Sequence, residues 1–239
     1  MGIHYYPLIN KIINSLKLRD SFYLPFDASS KQAFSKPFIT ISREPGSGGK
    51  PIAKLVAEKL SFTFVDKQII SEIAKSTQKR KEVIQAVDEK SRSAIDDIVH
   101  SLLNVDYVDD LKYIQELVRV VLIYAHQGHC VILGRGGNFI TPFANGLHVR
   151  ITAPYQVRVQ RPIDYEGYTH QQAVDRIAEV DKERHDFVKQ YFRKSMNKGN
   201  AYDLTINTTY YDIEDSRDII IKAFCHKFKR IDRYLALLK

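Results

Sequence analysis

The chain has 239 residues, 44% of them hydrophobic and 27% charged, which is the composition of a soluble globular protein with a full core. Two cysteines without a C-x-x-C pair argue against a zinc knuckle or a disulfide framework, and the formal charge of +8 indicates an anionic partner. No segment is apolar over the length of a membrane span, and the first residues lack the layout of a secretion signal, so we predict a cytoplasmic protein.

Residues 1–36 precede the first predicted strand and are predicted to form a helical extension. Within them, apolar residues recur with the spacing of a short amphipathic helix, and a turn-rich connector, Pro25–Ser30, follows. Three roles are open for this extension: covering the core, forming a homo-oligomer, and binding a partner. The pattern favours packing against the core.

The segment Pro37–Leu60 has the pattern of a strand, a tight turn and an amphipathic helix. A β-branched run, Phe38–Ile41, precedes the turn Gly46–Gly49, and apolar residues at helical spacing follow. Glycines 46, 48 and 49 can adopt backbone angles that point successive N–H groups into one concavity at the positive end of the helix. This arrangement favours phosphate binding, and the alternative is a turn that only joins strand to helix.

The turn departs from the phosphate-binding pattern G-x-x-x-x-G-K-[ST]. With Lys50 as the phosphate lysine, Glu44 replaces the first glycine and Pro51 replaces the hydroxyl that would hold Mg²⁺. With Gly46–Gly48 aligned on a P-G-S-G-K core, the lysine position falls on Gly49 instead. Either Lys50 or Arg43, just before the loop, is a candidate to replace the missing lysine contact.

A second strand, Phe62–Val65, ends in Asp66, which is either a ligand-binding acid at the carboxyl edge of a sheet or the N-cap of the next helix. Residues 67–127 keep helical spacing, with breaks near Ser76 and Asn104. This block is longer than a simple crossover requires, so we predict a helical lobe beside the site.

A third strand, Cys130–Leu133, precedes Gly134-Arg135-Gly136, where Arg135 is either a bidentate phosphate contact or an exposed loop arginine. The next strand alternates apolar and polar residues. That alternation predicts His148 and Arg150 at an edge or surface position.

Residues 155–192 are predicted to form a lid. Arg158 and Arg161 precede a turn-like segment, Pro162–Thr169, and a helix follows that carries Asp181 and Arg184 on one face. These charges are either a solvated ion pair or part of a cationic lid that closes on a phosphoryl group. A fifth strand near Tyr202–Thr208 and a helix from Asp215 to about Leu237 complete the chain.

The ordered motifs T-I-S-R-E-P-G-S-G-G, F-V-D, G-R-G, D-x-x-R and Y-D-L-x-I-N, at residues 40–49, 64–66, 134–136, 181–184 and 202–207, resemble the cytidylate kinase-like family of P-loop proteins. The resemblance extends over about residues 36–230. It implies a three-layer α/β/α fold with a five-stranded parallel sheet, a nucleoside monophosphate-binding lobe at 67–127 and a lid at 155–192.

The resemblance also implies roles for individual residues. Catalysis would involve Lys50, Arg158 and Arg161, and acceptor binding would involve Asp66, Arg135, Asp181 and Arg184. The phosphates of ATP, brought with Mg²⁺, would contact Arg43, Gly46, Ser47, Gly48, Gly49 and Lys50. No residue is assigned as a metal ligand.

Two functions follow as hypotheses. The first is an ATP-dependent phosphotransferase that transfers the γ-phosphoryl group to a nucleoside monophosphate, such as CMP or dCMP, or to a related small acceptor. The second is a non-catalytic sensor of nucleotides or anions on a kinase fold. In both the partner is a small-molecule nucleotide, and we expect neither a membrane nor a nucleic acid as partner.

Overall fold

The computed structural model describes residues 34–102, 111–142 and 144–228. Nearly all of the predicted N-terminal extension, the predicted break near Asn104 and the end of the last predicted helix lie outside these residues. None of the helices in the described ranges is long and apolar enough to cross a membrane.

The centre of the fold is one sheet of five parallel strands in the order β2-β3-β1-β4-β5. The strands are β1 Phe38–Arg43, β2 Thr63–Val65, β3 Cys130–Leu133, β4 Gly146–Thr152 and β5 Leu204–Asn207. The predicted five-stranded parallel sheet is therefore confirmed. Because all strands are parallel, the segments that follow them meet at one edge of the sheet.

The helices of the described residues are α1 Gly49–Leu60, α2 Lys67–Lys75, α3 Thr77–Gln85, α4 Glu89–Leu102, α5 Leu111–Gln127, the short α6 Gly137–Ile140, α7 Tyr155–Glu166, α8 His170–Phe192 and α9 Ile213–Lys227. Local chemistry explains several boundaries. Asp66 caps α2, Ser76 caps α3 at the predicted break, and Thr169 with Gln172 forms a capping box at the start of α8.

Two hydrophobic cores lie on opposite faces of the sheet, which gives the predicted three-layer arrangement. Successive side chains of β1 alternate between them. Ile39 and Ile41 pack with residues of α1 and α9, whereas Phe38 packs with residues of α2, α4 and α5. The helical lobe, α2–α5, therefore belongs to one face of the sheet.

The segment from Pro162 is helical, so the prediction of a turn at Pro162–Thr169 was wrong over its first half. Pro162 lies inside α7, which ends only at Gly167 in a left-handed conformation. A proline has no N–H to donate to the carbonyl four residues earlier, which here is that of Arg158. That carbonyl instead faces the glycine loop, where a Cβ on Gly46 would lie 2.2 Å from its oxygen.

The prediction that His148 and Arg150 occupy an edge or surface was also wrong. Their strand, β4, lies between β1 and β5. His148 is buried, with its Nδ1 2.8 Å from the Thr40 hydroxyl, and Arg150 forms an ion pair with Glu44 at 2.9 Å. Polar residues in β4 alternate because they meet polar partners on neighbouring elements, a pairing that periodicity alone does not reveal.

The buried His148 should make the fold sensitive to acid. Burial lowers the pKa of His148 from its ordinary 6.5 to about 4, with Asp203 opposing that shift and Lys227 adding to it. Between these values the unfolded chain binds more protons, so stability falls as the pH falls. We expect the free energy of unfolding to decrease by about 2 kcal/mol between pH 7 and pH 5 on account of this residue.

Urea unfolding at the two pH values measures this effect. A His148→Gln variant is the control, because glutamine does not titrate. Wild type should lose more stability than the variant over this interval, and equal losses would show that His148 takes up protons equally in the folded and the unfolded chain.

Candidate active site

The glycine loop follows β1 and opens α1. Gly46 and Gly48 have φ of +72° and +78°, a left-handed conformation that glycine adopts without strain. Gly48 is the N-cap of α1, whose first N–H groups have no acceptor within the helix. The Ser47 side chain is fully buried and donates to the Glu44 carbonyl at 2.7 Å, so it fastens the loop.

Glu44, where the pattern predicts a glycine, anchors the loop to β4. Its carboxylate accepts hydrogen bonds from Arg150, the Thr152 hydroxyl and the Ala153 N–H. Burial alone would raise the pKa of Glu44, but the hydrogen bonds from Thr152 and Arg150 outweigh burial and lower it. Glu44 is therefore an ionised structural group.

Arg158, Arg161 and Asp181 were predicted to act in catalysis or acceptor binding. In the structure their hydrogen bonds connect helices α7 and α8 to each other and to the glycine loop. Arg158 donates to Asp181 at 2.7 Å, and its Nε lies 3.6 Å from Glu44. Arg161 donates to the Gly46 carbonyl at 3.2 Å and to the Thr208 carbonyl at 2.7 Å. These partners hold all three charged side chains outside both cavities described next.

Two cavities of ligand size meet at the carboxyl edge of the sheet. The glycine-loop cavity, about 460 Å³, lies between Pro45–Gly46, Gly134–Gly136 and the α7–α8 pair. The lobe cavity, about 520 Å³, lies between the ends of β2 and β3, helix α2 and Tyr113 of α5. Both are lined by the same four cations, Arg43, Lys50, Lys67 and Arg135.

Three arginines gather where the cavities meet. Arg184 donates to the Arg43 carbonyl at 2.7 Å, and Arg135 donates to the Ser71 hydroxyl at 3.1 Å while its guanidinium lies 5.3 Å from the Phe187 ring. Within the described residues, none of the three forms an ion pair with a carboxylate. Burial, and then the charges of Arg184 and Arg135, lower the pKa of Arg43 to about 9.

Bringing the three arginines together costs free energy when no anion is bound. Partial burial costs each cation hydration energy, which a bound anion would offset, and neighbouring like charges add repulsion. Arg43 remains protonated at neutral pH, so the cluster keeps its positive charge. This geometry would suit an anion.

The two lysines at this junction have carboxylate partners. Lys50, whose side chain is 59% exposed, lies 3.2 Å from Asp66, and Lys67 of α2 pairs with Glu183 of α8. Asp66 both caps α2, accepting from the N–H groups of Gln68 and Ile69, and lines the lobe cavity. The N-cap interpretation of Asp66 is therefore confirmed, and its role in binding a ligand stays a prediction.

The comparisons with known proteins agree with this architecture. The model of the Cytidylate kinase-like family matches residues 38–210. The chain belongs to the cytidylate kinase-like family. It is similar to the cytidylate kinase of Sulfolobus acidocaldarius, with 25% identity over 190 residues that cover 79% of this chain and 94% of that protein.

A second relative and a solved structure extend the comparison. The cytidylate kinase of Methanocaldococcus jannaschii is 26% identical over 190 residues, covering 77% of this chain and 96% of its own. The crystal structure of an uncharacterized protein from Eubacterium ventriosum ATCC 27560 superposes with a TM-score of 0.60 at 21% identity, covering 79% of this chain and 98% of that one. This likeness concerns the fold.

The structure places the predicted residues in three groups. Arg43, Lys50 and Arg135 line both cavities, Gly46 and Arg184 line the glycine-loop cavity, and Asp66 lines the lobe cavity. The predictions did not include four other residues that line the cavities: Lys67, Ser71, Tyr113 and Glu183. The sequence could have indicated that Lys67 lies at the site, because it directly follows the acid at the end of a strand. Ser71 and Tyr113 occupy ordinary helix positions, which carry no such indication.

Membership of this family implies the use of ATP and Mg²⁺. The residues around the cavities fit the phosphates of ATP better than they fit a metal ion. Six cations line the glycine-loop cavity, which suits the phosphates of ATP. Pro51 has no hydroxyl for a metal, Ser47 uses its own to hold the loop, and no group of three metal-binding side chains occurs within the described ranges. The described part of the chain therefore offers no cage for Mg²⁺, and the metal would be held by nucleotide phosphates and water.

Proposed function

We propose that the protein transfers the γ-phosphoryl group of ATP to a nucleoside monophosphate. The observation that carries this proposal is the pair of cavities with a common wall of four cations. A phosphotransferase must hold donor and acceptor together and neutralise charge between them. The glycine-loop cavity would take the donor phosphates and the lobe cavity the acceptor.

The transfer itself requires little covalent help from the protein. The bond from the γ-phosphorus to the β–γ bridging oxygen breaks, and an acceptor oxygen forms the new bond to the same phosphorus. Arg43, Arg135 and Arg184 would stabilise the charge on the transferring group. Asp181, Arg158 and Arg161 would hold the α7–α8 pair on the loop.

Two of the carboxylates beside the cavities, Asp66 and Glu183, are poorly suited to activate a hydroxyl acceptor. A hydroxyl acceptor needs a general base, and an effective base has a pKa near the working pH. The pKa of Glu183 is lowered, chiefly by its hydrogen bond from Lys67, and that of Asp66 is lowered because the Ile69 N–H and Lys50 outweigh burial. Both are weak bases, whereas a phosphate monoester is already ionised.

The relatives suggest which acceptors to try first. Two similar proteins are named cytidylate kinases, so CMP and dCMP head a panel of ribo- and deoxyribonucleoside monophosphates. Incubation with ATP·Mg²⁺ and chromatography of the products should reveal a nucleoside diphosphate whose formation is lost in Arg135→Gln. No diphosphate from any acceptor, although ATP binds, would contradict the proposal.

A second function, an anion or nucleotide sensor, is favoured by one observation. The loop lacks both its lysine and its metal-binding hydroxyl, and Lys50 is paired with Asp66. A sensor needs affinity without transfer, which the cationic cluster would provide. The same assay separates the two, since a sensor binds nucleotide without forming product.

A further inference from the structure

We propose that Arg43 binds the nucleotide phosphates in place of the missing loop lysine, and that position 49 is glycine because the Arg43 side chain passes over it. The absence of a lysine at position 49 and the presence of an arginine at position 43 would then be linked substitutions that serve the same contact. The proposal rests on the proposed function only in taking a polyphosphate as ligand, and its test requires no turnover.

Two glycines on separate loops make room for the Arg43 side chain. A Cβ on Gly49 would lie 2.5 Å from the Cβ of Arg43, and a Cβ on Gly134 would lie 2.1 Å from its Nη1. The first glycine therefore borders the root of the side chain and the second borders its guanidinium. Because a Cβ is fixed to the backbone, any side chain at position 49, lysine included, would collide with the Arg43 side chain unless β1 and α1 move apart.

The Arg43 guanidinium lies where an anion that spans both cavities would contact it. It lines both, and within the described part of the chain no carboxylate forms an ion pair with it. The hydrogen bond from Arg184 goes to the backbone carbonyl of Arg43, which fixes the residue and leaves its guanidinium free for a ligand. Arg135 and Arg184 are near enough to repel it electrostatically.

Lys50, the other candidate for this role, is less suited to it. Its side chain is 59% exposed and pairs with Asp66. Consecutive residues of a helix point about 100° apart, so a lysine one position late cannot simply follow the course of the missing one. An exposed, already paired lysine contributes little to affinity.

The test is calorimetric binding of tripolyphosphate, a probe without base or sugar. Arg43→Met should weaken binding about 10- to 100-fold, as expected for loss of charged hydrogen bonds, whereas Lys50→Met should weaken it less than about 5-fold. Ligand-free Arg43→Met should also unfold at a higher temperature than wild type, because a half-buried cation that Arg184 and Arg135 repel has been removed.

A paired exchange tests the role of Gly49. Gly49→Lys alone should bind poorly, because its Cβ collides with Arg43. Arg43→Gly combined with Gly49→Lys should bind at least about tenfold more tightly than Arg43→Gly alone, since one charged contact is restored. No recovery would overturn the exchange of lysine for arginine.

The role of Arg43 would be overturned if wild type does not bind tripolyphosphate, or if Arg43→Met binds it like wild type. It would also be overturned if Arg43→Met loses both binding and thermal stability, because that result would indicate a structural role. A protein that binds tripolyphosphate through Arg43 but forms no nucleoside diphosphate would support this inference and remove the proposed function.

Discussion

Arg184→Ala is expected to reduce kcat for phosphoryl transfer by about 100-fold or more, the usual loss when one preorganised charge-stabilising donor is removed. Arg184 lines the glycine-loop cavity and its Nη1 donates to the Arg43 carbonyl at 2.7 Å. Burial lowers the pKa of Arg184, while Asp181 and Glu183 oppose the shift. The substitution would remove one cation and release the backbone of a second.

Lys182→Ala is the matched control, since Lys182 lies on the same helix with an exposed side chain. This variant should keep wild-type kcat. Both variants would be compared by steady-state kinetics with the best acceptor of the panel and by circular dichroism. A folded Arg184→Ala enzyme that retains more than about a tenth of wild-type kcat would contradict a role for Arg184 in the transition state.

Gly46→Ala is expected to lower the free energy of unfolding by about 3 kcal/mol or more. A φ of +72° costs an alanine roughly 1–2 kcal/mol, and its Cβ would lie 2.2 Å from the backbone oxygen of Arg158. Because that oxygen belongs to α7, relief of the clash requires α7 to move away from the glycine loop. Tripolyphosphate affinity should fall with stability.

Gly167→Ala provides a control with nearly the same backbone strain. Gly167 has φ of +73°, and nothing lies within 4 Å of a Cβ built on it. Urea unfolding should therefore show a loss of about 1–2 kcal/mol for this variant, from conformation alone. Equal losses for the two alanines would mean that α7 does not contact the loop as described.

The sequence predicted best those features that depend on neighbouring residues. The β-branched run before the glycine turn, the apolar spacing of α1 and the acid after β2 are local patterns, and each appears in the structure where it was expected. The five-stranded parallel sheet was implied by the resemblance of the ordered motifs to a known family. These features bring Arg43, Arg135 and Asp66 to one edge of the sheet.

The sequence could not predict which distant groups become partners. Arg158 and Asp181 were expected to face a ligand, yet they pair with each other. The sequence predicted a turn from Pro162, but in the fold Pro162 lies inside α7 and the carbonyl that it leaves without a donor faces the glycine loop. Such outcomes depend on tertiary contacts, for which local patterns carry no signal.

We expect the two cavities to hold donor and acceptor at the same time. A bisubstrate analogue, in which adenosine and cytidine are joined through a polyphosphate chain, tests this expectation. Titration calorimetry should find one analogue per chain, bound at least about 100-fold more tightly than ATP or CMP alone, because linking makes the second contact intramolecular. An analogue that binds no more tightly than ATP, with CMP displacing ATP, would show a single nucleotide site and contradict the claim.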